Sequence, residues 1–570
     1  MAETLLEVCE LAVRFGPVQA VKWASFSLQS GQTLGIVGES GSGKSTLLWA
    51  LTRLLPDAAT LNSGEVWFDG EDLLRLQPAR MRALRGTRIS YVSQDPMTSL
   101  APGLTIGRQM TDLLYREPWS KREKWQRAID ALDWVSLPDP AARMNMYPHE
   151  LSGGQRQRVS IAMALMLGPD LVLADEPTTA LDPTLEVEIL ELLQRLQRET
   201  GCAIIFVTHH LGVVASLCDE VLVMKSGEIR EAGPVQNVFT EPQDDYTKAL
   251  LRCDPAQIET PTRRLPTMSE ALERPVQIVQ GPLERIGPED APVLRVEDLS
   301  VTFTRSGLLP PVLGGWREEI PAVRNVSFDI RSGETLALIG ESGSGKTTVA
   351  RSIMGLVRPD SGRINLNGSE LTGADAAGWS RAREQVAMMF QDPAGSLSPR
   401  ATIAEQVVEP LIVHGRRGEA TRARAIELLT QAGLGEAYAD RFPHELSGGQ
   451  ARRAGVARAL ALSPSLVVAD EPTAGLDVSV QGEVVNLLNA LQEQMGLSIL
   501  LITHNMSVVR HAADRMIVML KGELVETGPT ARLFAGAGHG YTRSLIAASY
   551  HALPDQQQTP NQERKLHAVE

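Results

Sequence analysis

Short apolar runs alternate along the chain with longer stretches of helical period. Leu34 to Val37, Leu171 to Ala174 and Ala203 to Val207 are apolar throughout. Such runs predict strands covered on both faces, as in a parallel sheet. Between them, Gln155 to Leu167, closed by Gly168-Pro169, and Leu185 to Glu199, ended near Gly201, carry the helical pattern and its stop signals. Leu11 to Phe15 alternates apolar with polar residues and Phe26 to Leu28 continues that pattern, which predicts a half-buried antiparallel sheet. Gly64 to Gly70 reads as a short strand ended by an Asp-Gly turn, Arg88 to Ser93 as another strand, and Val221 to Glu231 as a hairpin. From about Asp95 to Pro148 the pattern is helical with no long apolar strand, an inserted helical subdomain. The expected fold class is α/β.

The pattern then repeats. Lys44 recurs as Lys346, 302 positions on, and Gln94 as Gln391, 297 on. Ser152, Asp175 and His209 recur as Ser447, Asp470 and His504, each 295 on. The chain is a tandem duplication, with halves at 1–253 and 293–550. The second half carries a longer loop, Arg305 to Ile320. Residues 254–292, broken by seven prolines, read as an extended linker, and the polar, Gln-rich 551–570 as a disordered tail.

Composition narrows the function. At 570 residues the chain exceeds one core. Its formal net charge of −14 argues against nucleic acid as the main partner. No stretch is long and apolar enough to span a bilayer, and the N-terminus lacks the pattern of a signal peptide. Cys9, Cys202, Cys218 and Cys253 are scattered, as in a reducing compartment, and give no metal signature. A membrane role is therefore expected to come through a partner.

The first apolar run leads into Gly38, Glu39, Ser40, Gly41, Ser42, Gly43, Lys44 and Ser45, then Thr46 and a helix. This fits G-x-x-x-x-G-K-[ST], a loop that wraps phosphate. Glycines let the backbone turn tightly and aim N–H groups at phosphate oxygens, and the helix N-terminus adds donors. The lysine supplies a charge for the β- and γ-phosphates and the hydroxyl a ligand for Mg²⁺. The motif returns as Gly340, Glu341, Ser342, Gly343, Ser344, Gly345, Lys346 and Thr347, then Thr348. A chance match is expected in about one chain in fifty of this length, so two are not an accident.

Asp175-Glu176 closes an apolar strand at its carboxyl end, where open α/β sheets place ligands, and Asp470-Glu471 repeats this. The first acid is placed to hold Mg²⁺ and the second to polarise an attacking water. His209 and His504 follow apolar strands and are candidates for a γ-phosphate contact. Gln94 and Gln391, also at strand ends, are candidates to ligate Mg²⁺ or position water. Phe15 and Phe303 either stack an adenine face or simply join the core beside their strand neighbours.

Leu151-Ser152-Gly153-Gly154-Gln155 and Leu446-Ser447-Gly448-Gly449-Gln450 resemble the signature of ABC ATPases. With the phosphate loop, Gln94, Asp175-Glu176, Ala180-Leu181-Asp182 and His209, the resemblance covers a full nucleotide-binding domain, and the second half matches likewise. It implies a RecA-like core with antiparallel β and helical subdomains in each half, ATP and Mg²⁺ as cofactors, and ATP hydrolysis. It also implies that the signature of one half serves the phosphate held by the other. Pro148-His149-Glu150 and Pro443-His444-Glu445 before the signatures resemble importer-type domains. Tyr246-Thr247-Lys248-Ala249-Leu250 and Tyr541-Thr542-Arg543-Ser544-Leu545 resemble the C-terminal segment of dipeptide, oligopeptide and nickel importer ATPases, here as a fused pair like glutathione and microcin or peptide importers. The implied partners are two membrane-spanning permease subunits and a substrate-binding protein, at the cytoplasmic face of a bacterial inner membrane. Many relatives carry a cysteine cluster for an iron–sulfur centre; Cys253 stands alone at that place, so none is expected. His210 and Asn505 stand where the family has Asp, and Ala451 where it has a polar or basic residue. Two rivals stay open, a soluble tandem ATPase acting on ribosomes or DNA and a fused sugar-importer ATPase.

Overall fold

A computed structural model describes residues 4–94, 99–178, 181–258, 260–273, 292–306, 317–390, 392 and 395–549. The predicted tail and most of the predicted Arg305–Ile320 loop lie outside the described residues. The described residues fall into two compact units. Those up to Gln257, with Ala271–Glu273, form the first; Ile258–Glu270 and those from Pro292 to Ser549 form the second.

In the first unit, β1 (Thr4–Phe15), β2 (Val18–Gln29), β4 (Ala59–Phe68) and β5 (Glu71–Asp72) make an antiparallel sheet in the order β2-β1-β4-β5. A second sheet has the order β10-β9-β3-β8-β7-β6, from β3 (Thr33–Val37), β6 (Ile89–Val92), β7 (Leu171–Asp175), β8 (Ala203–Val207), β9 (Glu220–Lys225) and β10 (Glu228–Pro234). Its strands β9, β3, β8, β7 and β6 run parallel, and β10 closes an antiparallel hairpin with β9. Strands β3, β7 and β8 are buried at every residue, as their unbroken apolar runs require. Between β6 and β7 lie the helices Ile106–Leu113 and Lys121–Trp134 of the predicted helical subdomain, whose Met110 and Leu132 join one core cluster with Val159 and with Val172 and Phe206 of the sheet.

The first predicted strand differs in one respect. Leu11, Ala12 and Val13 are all buried, so simple alternation fails there. Glu10 adopts φ 47° and the pairing with β2 shifts register between Val8 and Leu11, a bulge that turns successive side chains inward.

The second unit repeats the plan. Its antiparallel sheet is β12-β11-β14-β15, from β11 (Pro292–Ser306), β12 (Arg317–Arg331), β14 (Ser361–Leu366) and β15 (Ser369–Glu370). Its larger sheet is β16-β17-β18-β13-β19-β20, from β13 (Thr335–Gly340), β16 (Val386–Met389), β17 (Leu466–Asp470), β18 (Ser498–Ile502), β19 (Arg515–Leu520) and β20 (Glu523–Pro529).

The stretch predicted as an extended linker is partly helical, with a 3₁₀ turn at Pro255–Gln257 and a helix at Met268–Glu273. The helix has a start signal that the prolines obscured. Thr267 and Glu270 form a reciprocal cap, in which the Glu270 N–H donates to Thr267 Oγ1 at 3.5 Å and the Thr267 N–H to Glu270 Oε2 at 3.2 Å. Ahead of it, the strap Thr262–Leu265 docks on the second unit. The Asn486 amide brackets the Leu265 backbone, accepting from its N–H at 2.7 Å and donating to its C=O at 2.8 Å. Asn489 donates to Arg263 O at 2.7 Å, and the Thr262 N–H donates to Nδ1 of the fully buried His511 at 3.2 Å. Arg263 pairs with the buried Asp514 at 3.2 Å. The matching positions of the first unit hold Glu191, Gln194 and Ser216 in place of Asn486, Asn489 and His511.

Candidate functional site

Buried β3 ends at Val37, and the loop that starts with Gly38 runs into the helix Lys44–Leu51. Gly38 and Gly43 have φ of 150° and 102°, and a Cβ on them would stand 2.1 Å from Met224 O and 2.2 Å from Ala20 O. Only glycine fits at either point, so the loop is drawn tightly over the sheet end. Lys44 curls back across it, its Nζ donating to Gly38 O at 2.6 Å and Glu39 O at 3.0 Å. The second unit repeats this from β13 into the helix Lys346–Ile353, with Lys346 Nζ donating to Gly340 O at 2.7 Å and Glu341 O at 2.8 Å.

In the first unit β7, separated from β3 by β8, brings its terminal acid to the start of the helix Lys44–Leu51. Ser45 Oγ donates to Asp175 Oδ1 at 3.1 Å. Tyr91 Oη donates to Asp175 Oδ2 at 2.7 Å and accepts from Trp49 Nε1 at 3.1 Å. Burial pushes the Asp175 carboxyl above its usual range, with the Tyr91 and Ser45 hydrogen bonds acting the other way. Burial and the Asp175 charge raise the Tyr91 hydroxyl well above its ordinary value, which keeps it a donor. In the second unit Asp470 is likewise raised, first by burial and then by Glu471, while a hydrogen bond from Thr347 and the charges of Lys346 and Arg351 oppose the shift.

Glu176 and Glu471, one step past the strands, have φ of 45° and 51°, a costly conformation for a residue with a side chain. It turns each carboxylate toward the histidine delivered by the next strand. His209 Nδ1 lies 3.4 Å from Glu176 Oε2, and His504 Nδ1 lies 2.9 Å from Glu471 Oε1. Gln94 Nε2 donates to Glu176 Oε2 at 3.0 Å. Its counterpart Gln391 lies outside the described residues, as does Ala180. In each unit, then, the phosphate loop, the acid pair and the histidine gather at the carboxyl end of the parallel strands, and Gln94 joins them in the first.

The signatures lie elsewhere within each unit. Ser152 caps the helix Gly153–Leu165, its hydroxyl accepting from the Gln155 N–H at 3.3 Å while Gln155 Oε1 accepts from the Ser152 N–H at 3.1 Å. Ser447 and Gln450 repeat the cap at 3.3 and 3.0 Å. Ser152, Gly154 and Gln155 line a hollow with Leu185 and Glu188 and with none of the phosphate-loop residues. Phe15 is half-buried at the end of β1, whereas Leu11 and Val13 on the same strand are fully buried; Phe303 is exposed.

Three contacts went unread in the sequence. The Glu39 N–H donates to Tyr246 Oη at 3.2 Å, and the Glu341 N–H to Tyr541 Oη at 2.8 Å. The repeated Tyr-Thr-x-x-Leu segment was the available signal. Tyr91 carried none, because its counterpart is Met388. His210 meets the His209 ring edge-on at 4.4 Å and its Nδ1 lies 3.4 Å from Glu186 Oε1. The equivalent Asn505 donates to Gln481 Oε1 at 3.2 Å and caps its helix by accepting from the Val508 N–H at 3.2 Å.

The family model described as ABC transporter matches residues 21–179 and again 323–474. The model described as oligopeptide/dipeptide transporter, C-terminal region, matches 230–281. The glutathione import ATP-binding protein GsiA of Escherichia coli strain K12 is 43% identical over 558 residues, covering 95% of this chain and 88% of that protein. GsiA of Shigella boydii serotype 4 is 44% identical over 559 residues, with the same coverage. A dimeric post-hydrolysis state of the ATP-binding cassette MJ0796, bound to ADP and Pi, is 33% identical over 42% of this chain and 98% of that one, with a TM-score of 0.37. The chain belongs to the ABC transporter ATPases, in their oligopeptide/dipeptide importer branch. It binds ATP and is an ATPase that energises transport, as the sequence reading expected, and ATPases of this kind work with membrane permease subunits. Among the described residues no helix is long and apolar enough to cross a membrane.

Proposed function

We propose that residues 1–253 and 293–550 are two nucleotide-binding domains that hydrolyse MgATP to drive import of a peptide-like solute across a bacterial inner membrane. The observation that carries this reading is the doubled arrangement of phosphate loop, Asp-Glu pair and histidine at the ends of parallel strands. In it, the loop amides, Lys44 and Lys346 bind the β- and γ-phosphates. Glu176 and Glu471 polarise water, and His209 and His504 hold the γ-phosphate. Phe15 and Phe303 stack on adenine. Gly153, Gly154, Gly448 and Gly449 present N–H groups to phosphate, and Ser152 and Ser447 add their hydroxyls.

The donor set fits a magnesium ion. Ser45 Oγ and the buried Asp175 Oδ1 are hard oxygen donors 3.1 Å apart, the kind that Mg²⁺ takes alongside its waters. Ser45, Asp175 and Gln94 would hold it in the first half, and Thr347, Asp470 and Gln391 in the second. Bound there, the ion neutralises charge on the β- and γ-phosphates.

The solute class follows from the relatives, glutathione importers by name; other short peptides and nickel are the neighbouring choices. The partners would be two permeases and a substrate-binding protein, with the chain on the cytoplasmic face. Expression with its permeases and binding protein tests this. The chain should move to the membrane fraction, and the assembly should take up labelled glutathione or dipeptide in an ATP-dependent manner. Recovery on ribosomes, or uptake of sugars alone, would overturn the reading.

A further inference from the structure

The two halves do not hold their metal-side aspartates in the same way. In the first, Ser45 and Trp49 lie one turn apart on the phosphate-loop helix and face the same strand ends. Ser45 bonds one oxygen of Asp175, and Trp49 bonds the hydroxyl of Tyr91, which bonds the other. The aspartate is 3% exposed and both of its oxygens are engaged. Tyr91 reaches it from β6, where it sits beside Leu173 of β7.

In the second half the same places are filled by other chemistry. Met388 sits beside Val468 on the paired strands, where Tyr91 sits beside Leu173. Arg351 takes the helix position of Trp49, one turn after Thr347. Thr347, Arg351, Met388 and Asp470 line one hollow, and the guanidinium charge bears on the Asp470 carboxylate. A thioether cannot donate to a carboxylate. A guanidinium near the carboxylate offsets part of the negative charge that would attract a cation.

We propose that Tyr91, braced by Trp49, is a positioning residue that fixes Asp175 for the divalent cation of the first nucleotide site, and that the second site, with Met388 and Arg351 in those places, binds that cation more weakly. The Tyr91 bond stops the carboxylate from rotating and leaves the Oδ1 edge, beside Ser45, directed at the phosphate loop. Lys44 bears on Asp175 as Lys346 does on Asp470, but the second group that holds Asp175, Tyr91, is neutral. Asp470 is restrained by Thr347 and shares its field with a second cation, Arg351, in addition to Lys346. The proposal rests on the MgATP reading above and adds an inequality between the halves.

The test uses the full chain, a non-hydrolysable ATP analogue and Mn²⁺, with free Mn²⁺ followed by electron paramagnetic resonance. Lys346→Ala leaves the first site to be read, and Lys44→Ala the second. The first site should bind Mn²⁺ more tightly than the second. In the Lys346→Ala chain, Tyr91→Phe should weaken Mn²⁺ binding about 10-fold, the size expected for one hydrogen bond to a charged group. Trp49→Phe should weaken it about 3-fold, since one bond in the chain is lost at second hand. In the Lys44→Ala chain, Arg351→Trp with Met388→Tyr should tighten it. Analogue binding without metal should be the same in each further-substituted chain as in the Lys346→Ala or Lys44→Ala chain that carries the substitution. Equal Mn²⁺ affinity of the two sites, an unchanged Mn²⁺ titration in Tyr91→Phe, or an equal loss of analogue binding without metal would overturn the proposal. Failure of the unmutated chain to bind the analogue would instead overturn the nucleotide reading on which it rests.

Discussion

The hydroxyl of Tyr246 accepts the backbone N–H of Glu39, the second residue of the phosphate loop, and Tyr541 meets Glu341 in the same way. Each tyrosine belongs to the helix that ends its half, Asp245–Cys253 or Gly540–Ala548. The segment that resembles peptide-importer ATPases therefore touches the loop that wraps phosphate. A neutral hydrogen bond of this kind contributes about 1 kcal/mol. Tyr246→Phe or Tyr541→Phe should weaken ATP binding at the affected half by about 5-fold. Nucleotide titration in chains with the other half silenced checks this, and affinity equal to the parent would show that the contact is incidental.

The carboxylates of Glu176 and Glu471 are each within reach of a histidine and lie beside the phosphate loop. Replacing either by Gln keeps its size and removes its basicity. The double variant should retain ATP while turnover falls by about 10²- to 10⁴-fold. Turnover at the parental rate in a phosphate-release assay would remove both from the reaction.

His210 sits against Glu186, with Asp254, Glu176 and the ring of His209 also facing it. Burial disfavours its charge, but the attraction of Glu186 and the other carboxylates outweighs this and raises its pKa above the ordinary value near 6.5. A histidine raised in the folded state stabilises fully below its unfolded pKa and loses that contribution as pH rises through the folded value. The Tm advantage of the parent over His210→Gln should be largest near pH 6 and shrink toward pH 8.5. An advantage that grows with pH would contradict the pairing with Glu186.

Asn486 satisfies both backbone groups of Leu265, a residue that is fully buried. Asn486→Ala would leave that N–H and C=O without this partner, at a cost of about 1–3 kcal/mol. Thermal unfolding of the second unit should shift downward by several degrees, and proteolysis near residues 258–270 should quicken. Asn486→Asp, which keeps only the acceptor, should fall between.

Much of this architecture was legible in the residues. Apolar runs such as Leu171–Ala174 announced parallel strands, because a strand covered on both faces cannot alternate. Gly38 and Gly43 announced the phosphate loop, because any Cβ there meets a carbonyl oxygen. The strap was hidden for a physical reason. It is held by side-chain amides and a histidine on distant helices that bond its backbone, so its own composition says little about where it rests. Tyr91 was hidden because its partner Asp175 is 84 residues away and the repeat offers Met388 instead.

The strap also decides where this polypeptide can be cut in two. Thr262–Leu265 follows the first half in sequence yet belongs to the second in space. A break placed at the start of β11 would strip the second half of Arg263 and take from Asp514, His511, Asn486 and Asn489 their bonds to the strap. A break just after Gln257 would keep the strap with its partners, at the cost of moving Ala271–Glu273 from the first unit into the downstream fragment. Two-gene versions of this arrangement, engineered from the fused chain, should therefore express as stable separate polypeptides only when the shared strand of sequence is donated to the downstream product.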